Sequence, residues 1–192
     1  EPFIRKDILE ILKYASERLI TDISTNASLI TPEKVELLNQ LKLKMIHVSL
    51  DGDKLEHESV RGNNTYERTI RGLEALRKSV NKVRIGSVIH SNNQYDLESL
   101  ILDSVGLQAD EIIFSIMEPV SGQDRTLVKT VPNEVLIPQI DELREKYNGQ
   151  IIVNYNFGKQ PNFVHRCPAG DKFIYINNFG NVSPCPWVLE SD

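Results

Sequence analysis

The sequence predicts an α/β protein built on a parallel sheet, and three observations carry that prediction. First, short segments of alternating or β-branched apolar residues recur at 20–24, 44–50, 82–89, 111–117 and 151–155. Second, segments of 10–16 residues with apolar positions at helical spacing separate them. Strands alternating with helices of that length argue βαβ units. Third, polar residues gather where the strands end: Ser24-Thr25-Asn26, Ser49 with Asp51, Ser87 with His90, and Ser115 with Glu118. Parallel sheets and barrels place ligands at those ends. Right-handed crossovers leave two architectures, an open doubly wound sheet or a barrel.

The elements follow in order. Residues 4–19 carry Ile8, Leu9, Leu12, Ala15 and Leu19 on one helical stripe. Thr31-Pro32 opens the next helix, with threonine as cap and proline at the first helical position, and it runs to about Leu41. The strand at 44–50 (KMIHVSL) stops at Asp51-Gly52. An amphipathic helix over 65–80 presents Ile70, Leu73 and Leu76, and a β-branched strand follows it. The helix at 97–106 ends on Gly106, and the one at 132–147 contains Pro138, a candidate kink. Helical periodicity stops near 156–163, where glycine and proline appear. A first domain over 1–156 and a small second one over 157–192 are therefore expected.

Composition narrows the class. The chain has 22 Lys and Arg against 27 Asp and Glu, a net charge of −5, which argues against a broad nucleic-acid footprint. No apolar run approaches the roughly 20 residues that cross a bilayer. Two cysteines and no secretory segment suggest a cytoplasmic setting. No glycine-rich phosphate fingerprint follows the first strands, so a Rossmann dinucleotide site is not expected.

Those two cysteines, Cys167 and Cys185, bracket one turn-rich segment, with Gly180 five positions before the second. Between them, residues 173–176 read as a strand, Asn177, Asn178 and Gly180 as a turn, and the rest as a return strand. A hairpin would draw the sulfurs together. Thiolates bind soft metals and iron–sulfur clusters, but two do not complete a tetrahedral site. A pair of ordinary thiols or one disulfide fits the spacing equally well.

Several motifs, in this order, resemble the radical S-adenosylmethionine (radical SAM) enzymes, in particular those with an auxiliary-cluster extension of the SPASM or twitch type. Glu1-Pro2 before a helix resembles the end of that family's Gly-Gly-Glu-Pro motif. Thr25-Asn26 resembles its Thr-Asn-Gly turn, with Ala27 in place of glycine. Val48-Ser49-Leu50-Asp51-Gly52, followed by His57, Arg61-Gly62 and Tyr66, is similar to its next strand and loop. Cys167…Gly180…Cys185 is similar to the opening of the auxiliary-cluster module. The resemblance implies a partial, open (β/α) TIM-like barrel lacking its first strands, plus a small cysteine-containing hairpin. The defining CxxxCxxC loop is not among these residues and would precede Glu1. The expectation is a form incomplete at the N-terminus, with auxiliary-cluster cysteines also missing after Asp192.

The implied cofactors are S-adenosylmethionine, a [4Fe–4S] cluster with ligands upstream, and an auxiliary iron–sulfur cluster. By resemblance, Glu1 would meet the cofactor's amino group, a charge-assisted pair. Ser24 and Asn26 would face the ribose or the backbone near it, Ser49 and Asp51 ribose hydroxyls or substrate, and Met117 the adenine. Cys167 and Cys185 would supply metal ligands. Alternation puts Ser49 and Asp51 on one face, and Arg84 and Ser87 on opposite faces. Arg84 could hold the cofactor's methionyl carboxylate but reads rather as a solvated edge charge, and His57, His90 and His165 as surface or satisfied core residues.

The implied activity is reductive cleavage of S-adenosylmethionine to a radical that abstracts hydrogen from a peptide, protein or cofactor-precursor substrate. Two other classes stand beside it. An ordinary barrel lyase would need a strand-end lysine in an apolar pocket, which the pattern lacks. A degenerate barrel would bind a peptide or nucleotide without radical chemistry. The outer edge of the first strand is an expected site of self-association.

Overall fold

The computed structural model describes residues 1–117, 131–157, 174–177 and 179–184. The chain divides into two compact units, Glu1–Gly158 and Lys159–Asp192. In the first, five strands form one parallel sheet in sequential order: β1 (Thr21–Thr25), β2 (Leu43–Ser49), β3 (Val83–Ile89), β4 (Glu111–Ile116) and β5 (Ile152–Tyr155). The helices are α1 (Ile8–Ser16), α2 (Pro32–Leu38), α3 (Lys54–Arg61), α4 (Tyr66–Leu76), α5 (Leu97–Gly106) and α6 (Asn133–Lys146). Sequential parallel order with a helix in each connection is the β/α pattern of an open barrel wall, not of a sheet wound in two directions.

Two local features differ from the sequence pattern. The segment expected as one helix from residue 4 starts as a short 3₁₀ turn, Pro2–Ile4, and α1 begins only at Ile8. Helix α3 was not expected at all. It is set by a capping box: the Asp53 carboxylate accepts the Glu56 N–H at 2.9 Å, and the Glu56 carboxylate accepts the Asp53 N–H at 3.0 Å. Its eight residues bury only His57, so apolar periodicity does not reveal it. Helix α6 runs through Pro138, which is exposed.

The core lies between one face of the sheet and the helices. Ile23, Ile46, Val48, Ile85, Ile89, Ile112, Phe114 and Val153 from the strands pack with Leu12, Val35, Leu38, Leu73, Leu76, Ile101, Leu136 and Ile140 from the helices. Each such side chain contributes about 1.5–3 kcal/mol on full burial. Strict alternation along β3 buries Val83, Ile85, Ser87 and Ile89, and leaves Arg84, Gly86 and Val88 half-buried on the other face. That second face carries the polar residues that matter below.

In the second unit, β6 (Tyr175–Ile176) pairs antiparallel with β7 (Val182–Ser183), the hairpin expected from sequence. The Asn177 side-chain oxygen accepts N–H bonds from Phe179 and Asn181, each at 2.9 Å, and Gly180 takes φ +89° to close the turn. Cys167, Cys185 and His165 lie outside the described residues.

Candidate cofactor-binding site at the strand ends

Glu1 is brought to the C-terminal end of β1. Its carboxylate accepts the Thr25 hydroxyl at 2.9 and 2.8 Å, the Asn26 N–H at 2.9 Å and the Phe3 N–H at 3.2 Å. Glu1 itself is exposed, whereas Thr25 is buried. The result is a carboxylate fixed in direction on an exposed residue. Thr25 also accepts the Ala27 N–H at 3.0 Å, so one hydroxyl ties the carboxylate to the turn that follows the strand.

Asn26 and Ser24 are exposed at the same strand end. The Asn26 side-chain oxygen accepts the Ser28 N–H at 3.0 Å, an Asx turn. Next across the sheet, Ser49 is half-buried and lies in register with Gly86. A Cβ at Gly86 would meet nothing nearer than the Val48 carbonyl at 4.0 Å, so there is open space beside Ser49. Ser115 and Met117 continue the half-buried face on and just past β4, with the Met117 N–H bonded to the Ile89 carbonyl at 3.0 Å. Glu118 lies outside the described residues.

Asp51 departs from the expectation. It does not share an open face with Ser49 but is fully enclosed. Arg61 Nε donates to its carboxylate at 2.6 Å, and the Val88 N–H donates at 2.8 Å. Its backbone is held as firmly: the Asp51 N–H donates to His57 Nδ1 at 3.3 Å, and Asn93 Nδ2 donates to the Asp51 carbonyl at 2.6 Å. Strand β2 ends at Ser49, so period-two alternation does not extend to residue 51. Asp51 ties β2's exit loop to β3 and α3.

His57 and His90 are core residues. His57 is buried edge-on to Tyr66, with ring centroids 6.0 Å apart. Burial pushes the pKa values of His57 and His90 below the ordinary histidine range, against the opposing pull of Asp51. Ser87 is also buried, on the helix side. Of the strand-end polar groups expected from sequence, Ser24, Ser49 and Ser115 therefore face the open side, and Asp51, Ser87 and His90 do not.

Arg84 is not a solvated charge. Its guanidinium pairs with Glu111 at 2.6 Å, and Asn154 donates to the other Glu111 oxygen at 2.7 Å. His47 stands in register with Arg84, and its Nε2 is 3.6 Å from Asp22. Burial, and then the Arg84 charge, lower the His47 pKa. The sequence pattern singles out Arg84 but not its partners Glu111 and Asn154 or the neighbouring His47, although strand alternation alone places His47 and Arg84 on one face. Among the described residues no cluster of three or more histidine, cysteine or acidic side chains could hold a metal.

A five-stranded parallel wall with an anchored carboxylate and half-open serines at its strand ends defines a barrel-type ligand site. Solved structures share the fold: SuiB from Streptococcus suis, crystallised with S-adenosylmethionine, superposes with a TM-score of 0.80 at 20% identity over 97% of this chain and 47% of its own. Residues 1–102 match the model of the radical SAM superfamily, and the chain belongs to that family. The AdoMet-dependent heme synthase of Methanosarcina barkeri is 24% identical over 98% of this chain and 61% of its own length. The PqqA peptide cyclase of Bradyrhizobium diazoefficiens is 24% identical over 96% and 51% respectively. The chain thus spans about half to three-fifths of these relatives.

The superfamily is defined by S-adenosylmethionine and a [4Fe–4S] cluster. The described residues fit the first: a directed carboxylate for an ammonium group, and hydroxyls and an amide beside open space for a nucleoside. For the cluster, the sequence holds only Cys167 and Cys185, so the three-thiolate set is not among residues 1–192.

Proposed function

We propose that this chain forms the cofactor-binding wall of a radical SAM enzyme that modifies a peptide or a cofactor precursor. When bound beside a reduced [4Fe–4S] cluster, S-adenosylmethionine supplies the radical chemistry that removes a hydrogen atom from substrate. The chain's own part is binding and orientation. Glu1 takes the cofactor's ammonium group through its exposed carboxylate oxygens. Ser24, Asn26 and Ser49 supply hydrogen bonds for the nucleoside, and Met117 offers an apolar, polarizable contact for the adenine. Asp51 acts one step removed, holding Ser49's strand end against β3. Cys167 and Cys185 contribute to an auxiliary iron–sulfur cluster in the second domain, 157–192.

The observation that supports this reading is the Glu1 carboxylate, held at the end of β1 by Thr25 and Asn26 across 24 and 25 residues of sequence. The substrate class rests on the relatives, of which one is by name a peptide cyclase and another a heme synthase. Cytoplasmic localisation is part of the same proposal; among the described residues no helix is long and apolar enough to cross a membrane.

The test is equilibrium binding of S-adenosylmethionine to the gene's full-length product. Ser49→Ala should weaken binding by about five- to tenfold, the loss of one polar partner. Unchanged affinity would remove Ser49 from the site. Cys185→Ala should leave cofactor cleavage intact and impair turnover of the true substrate.

A further inference from the structure

The geometry points to Thr69 and Gly72, on α4, as positioning residues that aim the Glu1 carboxylate at the cofactor's ammonium group. The inference rests on the assignment of Glu1 above. Neither residue touches Glu1. Both touch the turn on which Glu1 rests.

Thr69 is buried, and its hydroxyl donates to the Asn26 carbonyl at 2.9 Å. The Asn26 N–H donates to the Glu1 carboxylate at 2.9 Å. One peptide segment thus connects α4 on one side to the carboxylate on the other. Gly72 lies one turn further along α4, where the helix meets the backbone of Ala27 directly. A Cβ there would stand 2.1 Å from the Ala27 carbonyl oxygen and 2.7 Å from the Ala27 methyl. No rotamer relieves a clash with backbone, so only glycine allows this approach.

Ala27 explains why the approach is so close. It adopts φ +57°, a left-handed conformation that costs an alanine more than a glycine, and it is fully enclosed. Where the family's turn commonly carries glycine, this chain has a methyl group, and the missing side chain of Gly72 leaves room for it. Ala27 donates to Thr25 and accepts from Ile30, at 3.0 Å each, so its conformation fixes both ends of the turn. Thr69 and Gly72 therefore set the height and tilt of residues 25–27 and, through them, the direction of the carboxylate.

The test measures dissociation constants on the full-length, cluster-loaded protein with two probes. S-adenosylhomocysteine carries the amino-acid end; 5′-methylthioadenosine keeps the nucleoside and lacks it. Thr69→Val should weaken S-adenosylhomocysteine about tenfold and leave 5′-methylthioadenosine within about twofold, whereas Thr69→Ser should bind both probes as the native protein does. Gly72→Ala should act in the same direction and more strongly; should it fail to fold, the Thr69 pair decides alone. Equal losses for both probes, or none, would overturn the positioning role. Glu1→Gln separates the two claims. If Glu1→Gln leaves S-adenosylhomocysteine binding intact, the assignment of Glu1 falls and this inference with it. If Glu1→Gln weakens it and Thr69→Val does not, the positioning role alone falls.

Discussion

Asp51 shows how much one enclosed carboxylate can organise. Its oxygens bond Arg61 and the β3 backbone, and its own backbone bonds His57 and Asn93. Removing it would leave a buried Val88 N–H and a half-buried guanidinium without their acceptor. Asp51→Ala should therefore cost about 2–4 kcal/mol of stability, a range that allows for the partial exposure of Arg61. Urea denaturation of the pure protein measures this. A loss under about 1 kcal/mol would mean that water replaces the carboxylate at little cost, and that the loop is not anchored as described. The expectation that Asp51 shares the face of Ser49 failed for a local reason, since alternation holds inside a strand and β2 stops at Ser49.

At the scale of elements, the strands were legible because period-two burial and β-branched content coincide with the register seen in the sheet. Helix α3 was not, because a capping box fixes it while only one of its residues is buried. The Arg84–Glu111 pair and the Glu1–Thr25 clamp were illegible for another reason. Each joins residues 27 or 24 positions apart, and sequence alone gives neither the strand register that pairs Arg84 with Glu111 nor the path that returns Glu1 to the end of β1. The outer edge of β1 carries its own prediction. Among the described residues β1 pairs with β2 alone, and Ile20 beside it is 84% exposed. An unpaired edge with an apolar flank recruits other chains. The 192-residue chain should self-associate in light scattering as concentration rises, and Ile20→Lys should suppress it. A monomer at all concentrations would contradict this.

For the whole molecule, the histidines set the response to acid. His47, His57 and His90 are all held below the usual range, chiefly by burial, so the fold favours their neutral forms. In the unfolded chain each titrates near about pH 6.5. Below that pH the unfolded state binds more protons than the folded one, and stability falls; above it their contribution is complete. Glu56 and Asp103, which burial shifts upward, act in the opposite sense but from carboxylate values near about 4. The urea midpoint should drop between pH 7.5 and pH 5.5, and a flat or rising midpoint would contradict the neutral-core description. We propose that this wall holds S-adenosylmethionine for radical chemistry through Glu1. The most direct measurement is 5′-deoxyadenosine released by the full-length, cluster-reconstituted protein under strong reductant, beside its Glu1→Gln variant. The native protein should release 5′-deoxyadenosine, and the variant at least about tenfold less at subsaturating cofactor. A formed cluster with no 5′-deoxyadenosine at any cofactor concentration would contradict it and leave a barrel that binds a peptide or nucleotide without radical chemistry.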